Sequence, residues 1–508
     1  MASRRDELNA YTFAKRRLVA QFVQPNSTGS EEGAPRPLRA VVPGAIVGVV
    51  VLAVFGAIGM FRPTAPKNWD VPGENVIIAS KSTTRYVVLK TGDKTQLHPV
   101  LNMSSAKLLL APDKGKIITV DESVLDRGTI PHGATLGIPY APDRLPAADE
   151  AGKAKRWVVC ERPVDGGRAI QKAAFVLADR EKDRTDGRDE RLRGGQLLYV
   201  EGPDRTRYVV DAAGTGYPLA KDELLLRQLV GQNRVPQRVS AQWLATLRKG
   251  DPISFPKVPG EIGADSGATG LPDGAGRVGT VLSATDGTKK QQYVVLADRV
   301  APVTDFTAKL LLNSRQLVDL GQNGQATAVS GGAFQPGRAF NRDKTWPRAV
   351  PVPVNEAGTG KGSRNTVCNV LREVTPETGA TTMSTWAGED FPATLPTGSS
   401  SAYVTPGSGQ LFRQFTGSTT GTGFLFLVTD TGLRYAMQSN GDSTGGDSGI
   451  GSSGTPEEKE ARLAEQRQAQ NRLGYKDVEP LPVPAEWATF LPTGPRLSTS
   501  DARQPQGS

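Results

Sequence analysis

The chain has 508 residues, 37% hydrophobic and 22% charged, with 57 Gly and 37 Pro. That excludes a wholly disordered chain, and the glycines lack the every-third-residue period of collagen. Lys and Arg outnumber Asp and Glu 61 to 52, a net charge of +9. No basic stripe interleaved with aromatics accompanies that mild bias, so no nucleic-acid partner is expected. Two His and two Cys exclude zinc fingers and argue against a Cys/His metal site or an iron–sulfur cluster.

Residues 1–39 form a basic head with Arg4, Arg5, Lys15, Arg16, Arg17, Arg36 and Arg39 against Asp6, Glu7, Glu31 and Glu32. Within it Leu8, Tyr11, Leu18 and Phe22 fall near one face of a helix, beside Lys15, Arg16 and Arg17. Two readings fit: a helix lying on anionic lipid, or a docking helix for a cytoplasmic partner. Residues 41–61, VVPGAIVGVVVLAVFGAIGMF, carry no charge and are bracketed by Arg39 and Arg62. About 21 helical residues at ~1.5 Å each span a bilayer core. The sequence therefore predicts one transmembrane helix over 40–62, too long and too far from the N-terminus for a cleaved signal peptide. The positive-inside rule puts the head in the cytoplasm and everything after Arg62 outside.

The outer part contains four related stretches, opening at Tyr86, Tyr208, Tyr293 and Phe426. Each begins with an aromatic and branched apolar run that reads as a strand. In the first three a short Leu-rich helix follows, at Ser105 to Leu110, Lys221 to Val230 and Ala308 to Leu312. Each unit is too small to bury its own core and must pack on a neighbour. The second and fourth share a tail that begins at Trp243 and Trp487. The fourth carries an extra Ser/Gly-rich run, Ser439 to Gly454, read as a flexible insert, then a charged stretch read as an exposed helix.

Cys160 lies 74 residues after Tyr86, and Cys368 lies 75 after Tyr293. Both sit in apolar strand-like runs, WVVCERP and NTVCNVL, so the chain reads as two halves joined by a Gly/Pro-rich linker. Equivalent cysteines in pseudo-symmetric halves meet at the pseudo-twofold axis and pair in an oxidising compartment; the alternative is two buried free thiols. The layout expected is: repeat 1 over 69–135, central domain over 136–195 and 331–420, repeat 2 over 196–256, linker over 257–275, repeat 3 over 276–330, repeat 4 over 421–500, and a tail over 501–508. The fold class is α+β: one transmembrane helix, then an elongated outer part with four small α/β repeats around a β-rich central domain. The mixed-charge segment from Arg180 to Arg193 reads as a solvated loop, His98 as a surface or turn residue, and His132 as a loop residue. Trp157, Trp243, Trp346, Trp386 and Trp487 read as core residues rather than a sugar-binding surface.

Catalytic motifs are not evident. A P-loop needs G-x-x-x-x-G-K-[ST]. At Gly360-Lys361, Gly362 stands where Ser or Thr is required and Asn355 where the first Gly belongs; Gly115-Lys116 fails with Leu110 and Ile117. Gly446-Asp447-Ser448-Gly449 spells the GDSG of a serine protease nucleophile loop, but inside the flexible insert, with only His98 and His132 as bases.

The head containing YTFAKRRLVAQFV, the span, the PVLNMSSAKLLL segment from Pro99 to Leu110, the two Cys-bearing strands and the Leu491-Pro492-Thr493-Gly494-Pro495 tail together resemble the EccB family. These are membrane core components of the actinobacterial type VII secretion system, and the resemblance covers essentially the whole chain. It implies a single-span inner-membrane subunit assembled with the motor ATPase EccC, the multi-span EccD and, in mycobacteria, EccE, near the mycosin protease. It also implies self-association, outer repeats like the cell-wall-binding fold of a phage lysin, and Cys160 and Cys368 as the family's disulfide pair. Members have been described as ATPases, which makes ATP the one cofactor raised; the absent P-loop speaks against it. The expected function is a structural and assembly subunit, docked through Leu8, Tyr11, Arg16, Arg17, Leu18 and Phe22. The alternatives are a peptidoglycan-binding anchor and, third, a nucleotide hydrolase without a recognisable P-loop.

Overall fold

The computed structural model describes residues 4–23, 38–61, 65–187, 189–286, 289–358, 360–396, 401–437 and 467–506. The Ser439 to Gly454 insert and its GDSG lie outside them. By its contacts the chain divides into two compact units: residues 1–67 with 79–81 and 119–129, and the remainder.

In the first unit, the head forms helix α1, Arg4–Val23, with Asp6 and Glu7 in its first turn, where they complement the helix dipole. Leu8, Tyr11, Leu18 and Phe22 are all exposed on it. Helix α2, Leu38–Phe61, has 24 residues and contains Pro43. Its side chains are described over 41–57, and over the described residues no helix is long and apolar enough to cross a membrane. Those side chains are nonetheless exposed along the whole stretch, Val41 to Phe55 included.

Beyond the two long helices one pattern recurs four times: a three-stranded meander, a helix, and a fourth strand beside the first. The first repeat holds β1 (Asn75–Ala79), β2 (Arg85–Thr91), β3 (Lys94–Val100), helix α3 (Met103–Leu109) and β4 (Lys116–Val120), with order β3-β2-β1-β4. Asn102 caps α3 by accepting from the Ser105 N–H. Two short helices follow, α4 (Glu122–Leu125) and α5 (Ala148–Ala151). Then come two long strands, β5 (Arg156–Val164) and β6 (Ala169–Leu177).

The second repeat holds β7 (Gln196–Glu201), β8 (Arg207–Asp211), β9 (Thr215–Pro218), α6 (Glu223–Val230), β10 (Gln237–Arg238), α7 (Ala241–Ala245) and β11 (Arg248–Lys249). The third holds β12 (Val281–Asp286), β13 (Lys289–Val295), β14 (Val300–Val303), α8 (Asp305–Leu312) and β15 (Thr327–Ser330). Strand β16 (Val352–Pro353) then joins β7 of the second repeat. Next come β17 (Thr366–Val374), β18 (Thr381–Gly388) and β19 (Ala402–Val404). The fourth repeat holds β20 (Gly409–Phe415), β21 (Phe424–Thr429), β22 (Arg434–Ala436) and β23 (Leu481–Pro484). Its helix, at 467–472, occupies the same place in the order as α3, α6 and α8.

The central sheet runs β18-β17-β5-β6-β19, one hairpin from each half. Strands β5 and β17 are antiparallel, with Cys160 directly opposite Cys368. Both strands are near-continuous apolar runs because both faces are covered. Val158, Cys160, Cys368 and Val370 line one face with Phe175 and Trp386. Trp157, Val159, Val367 and Leu371 line the other, against Val200, Val210 and Trp243 of the second repeat and Phe412, Val428 and Trp487 of the fourth. The outer repeats then pack crosswise. Leu108 and Leu110 of α3 share a core with Leu427, Leu473 and Tyr475 of the fourth repeat. Phe306 and Leu310 of α8 share one with Leu225, Leu229 and Tyr199 of the second.

The segments read as linker and tail are both packed, and two expectations need correction. The 257–275 stretch is no free spacer: Val258 exchanges hydrogen bonds with Gln316 at 3.0 Å in both directions, and Gly270, at φ +85°, runs so close to Ala333 that a Cβ would lie 1.8 Å from its carbonyl oxygen. The C-terminal residues are not a loose tail either. Ala502 is buried, Pro505 bridges Leu136, and the Gln506 N–H donates to the Thr135 carbonyl at 2.8 Å. The charged helix read as exposed buries Ala469 and Leu473 at its described end. The segment read as a solvated loop turns through a 3-10 helix, Asp179–Thr185, and buries Thr185 and Leu192, because Asp186 has cationic partners on the central sheet.

Candidate functional site

The alternating pattern of β5 and β17 brings Cys160 and Cys368 together as a disulfide, with both residues fully buried. Any directly opposed pair in an antiparallel ladder lies on a local twofold axis. The bridge therefore joins the two halves at their point of symmetry.

The next residue on each strand faces the second repeat. Glu161, fully buried, accepts from the Ser240 N–H at 2.8 Å and from the Ser240 hydroxyl, at the N-terminus of α7. Burial pushes its carboxyl above the usual range, against the pull of those hydrogen bonds and of Lys172. Asn369 donates to Thr246 Oγ1 at 2.6 Å, at the other end of α7. Between them Trp243 Nε1 donates to the Val159 carbonyl at 3.3 Å. One short helix thus locks the second repeat onto the twofold centre, through Trp243 and its two caps, Ser240 and Thr246.

At the strand ends, Asp186 pairs with Arg156 of β5 at 2.8 Å, Arg372 of β17 at 2.7 Å and Arg191 at 3.2 Å. Burial alone would raise its carboxyl, but the bonds from Arg372 and Arg156 hold it below the usual range. One carboxylate thereby links a strand from each half.

The four repeat-opening aromatics occupy one structural position, the middle strand of each meander. Tyr86 lies between Ile77 and Pro99, Tyr208 between Val200 and Pro218, and Tyr293 between Leu282 and Pro302. Phe426 lies between Phe412 and Ala436, stacks on Phe412 at 5.5 Å and has the Arg434 guanidinium 5.0 Å from its ring centroid. The cross-strand proline partner was missed in the sequence. Its signal was there: a proline 9 to 13 residues after each tyrosine. Trp243 and Trp487, each in a short helix just after the fourth strand, are buried, as are Trp157, Trp346 and Trp386. His98 is not a surface residue: it lies in β3, 6% exposed, 2.8 Å through Nδ1 from the Ala134 carbonyl. His132 is exposed and meets Tyr86 edge-on at 5.9 Å.

A reciprocal arrangement also escaped the sequence reading. Lys107 of α3 donates to the Leu473 carbonyl, and Arg472 donates to the Leu108 and Leu110 carbonyls. Each helix end of the pair between first and fourth repeats receives a cation from its neighbour, which satisfies terminal carbonyls. Among the described residues no group of three His, Cys, Asp or Glu could hold a metal ion. The contacts described hold the repeats to the central sheet and to one another.

The family model described as Type VII secretion system ESX-1, transport TM domain B, matches residues 1–507. The chain is 26% identical over 538 residues to the ESX-3 secretion system ATPase EccB3 of Mycolicibacterium smegmatis, covering 98% of this chain and 90% of the relative. The EccB3 of Mycobacterium tuberculosis is 26% identical over 523 residues, covering 98% and 88%. Among solved structures, an intact ESX-5 inner membrane complex matches with a TM-score of 0.58 at 18% identity, covering 100% of this chain and 96% of that one. An EccB3 dimer from the ESX-3 core complex matches with a TM-score of 0.55 at 22% identity, covering 84% and 99%. With its two half-chains, four meander repeats and whole-length match, the chain belongs to the EccB family of type VII secretion systems.

Proposed function

We propose that this chain is a structural and assembly subunit of a type VII secretion membrane complex, acting by binding rather than catalysis. The observation that carries the reading is the match of the family model to residues 1–507, head, apolar helix and repeats together. The chain is anchored by α2, whose 24 residues at ~1.5 Å each reach about 36 Å and are uncharged from Val41 to Phe61. The basic head lies in the cytoplasm and the chain after Arg62 outside. The buried disulfide supports that orientation, since such bridges persist in oxidising compartments. The exposed Leu8, Tyr11, Leu18 and Phe22 of α1, with Arg16 and Arg17, form the docking face for the motor and channel subunits EccC and EccD.

The relatives carry ATPase in their names. In this chain Gly360-Lys361 lies in a turn that leads into strand β17, and Lys116 opens strand β4, whereas a P-loop lysine opens a helix. The five tryptophans invoked for a wall-binding surface lie in cores, which supports the assembly reading over the anchor.

The test is native mass in mild detergent with identification of co-purifying proteins. The expected result is a particle of megadalton scale containing a multi-domain ATPase and a multi-span protein. A small species without them overturns the reading. Removing residues 1–24 is expected to abolish that particle while leaving the outer unit folded, read as unchanged protease resistance; normal particle size in the truncation refutes docking through α1.

A further inference from the structure

Between the first and fourth repeats lies a cleft of about 690 Å³, within the range of small-molecule sites. Lys107 and Arg472 line it. Both already give hydrogen bonds to backbone carbonyls, but carbonyls return no charge. The buried Nε of Arg472 meets no acceptor among the described residues. Burial lowers the Lys107 amine with no carboxylate opposing it, and Arg472 is depressed by burial and further by the nearby Arg503 cation.

The acids lining the cleft are otherwise engaged or out in solvent. Asp113 pairs with Lys476 at 3.1 Å and Asp149 with Lys153 at 3.4 Å, while Asp477 and Glu479 are exposed. Water and salt screen those rim charges far more than the partly buried pair. A cation that loses hydration without gaining a counter-charge is an unbalanced cost, and a site arranged this way favours a negatively charged ligand.

We propose that this cleft binds a multivalent oxyanion of small-molecule size, its charged oxygens seated on Lys107 and Arg472. Those two side chains already bridge α3 and the 467–472 helix, so an anion bound there tightens the first repeat onto the fourth. The site is independent of the secretion reading, and its test involves no complex.

The full-length chain in mild detergent is titrated calorimetrically with pyrophosphate and, separately, with citrate, at constant ionic strength. Saturable binding of either supports the proposal; pyrophosphate alone identifies a phosphate ligand and citrate alone a carboxylate one. Lys107→Gln is expected to weaken binding about tenfold, while Lys107→Arg keeps the charge and the binding. Lys153→Gln, on the rim, is expected to leave affinity within about twofold. Absence of saturable binding for both anions overturns the proposal. So does equal affinity of wild type and Lys107→Gln, or loss in Lys153→Gln as large as in Lys107→Gln.

Discussion

The bridge between Cys160 and Cys368 spans a sequence separation of 208 residues and ties a strand from each half across the middle of one sheet. Replacing both cysteines by alanine removes the cross-link and leaves the surrounding ladder intact. In the chain-entropy treatment a loop of that length contributes roughly 5 kcal/mol by restricting the unfolded chain. Residual structure in the unfolded chain reduces the observed value, so a loss of about 3–5 kcal/mol is expected. Trp157 on β5 and Trp386 on β18 report from the same sheet. Urea unfolding of the full-length chain in detergent, followed by tryptophan fluorescence, should move to lower denaturant by about 1–2 M. Reductant should produce the same shift in the wild type and none in the variant. A midpoint within about 0.2 M of wild type would refute the reasoning, because the cross-link would then restrict nothing that the packed repeats do not already restrict.

Further predictions concern buried polar groups. The Glu161 carboxyl is raised by burial, so its contribution is complete below the unfolded value of about 4.3 and is lost as pH rises through the folded value. Glu161→Gln should therefore gain stability relative to wild type between pH 4 and 8, read as melting temperature against pH; parallel curves count against it. Asp186 is the opposite case: its depressed carboxyl stabilises above the unfolded value of about 3.9, and that contribution is lost as pH falls through the folded value. Asp186→Asn should cost about 1–2 kcal/mol at pH 7 in urea unfolding and almost nothing at pH 2. Gly133→Ala would set a Cβ 2.2 Å from His98 Cε1, and the displaced ring should cost about 1–3 kcal/mol, seen as faster proteolysis in the first repeat; unchanged cleavage contradicts the close approach.

Much of this architecture was legible before the structure because period and spacing are local or arithmetic properties. Aromatic and branched runs at Tyr86, Tyr208, Tyr293 and Phe426 mark strands whatever they pack against, and all four are middle strands of meanders. The 74- and 75-residue spacings placed Cys160 and Cys368 in equivalent strands, and an antiparallel pairing of equivalents brings them face to face. The helix of the fourth repeat reads as exposed because Glu, Lys, Arg and Gln dominate its stretch, and only packing beside α3 buries Ala469 and Leu473. His98 was misread because its alternation within LHPV is compatible with either face of a strand, and only the loop at 131–136 lying beside β3 buries it.

By itself the sequence determined the apolar helix, the fourfold repetition, the equivalent placement of the two cysteines and the lack of a P-loop motif, since each depends on residues near one another or on counting. Only the tertiary structure decided that the outer repeat of each half packs on the inner repeat of the other. It likewise decided that the Gly-rich joint and the last residues are ordered by what they touch, and that Asp186 joins both halves. The physical reason is the same in each instance. An apolar stripe such as Leu108 to Leu110 states that a face must be buried, and carries no record of which of several similar neighbours will bury it.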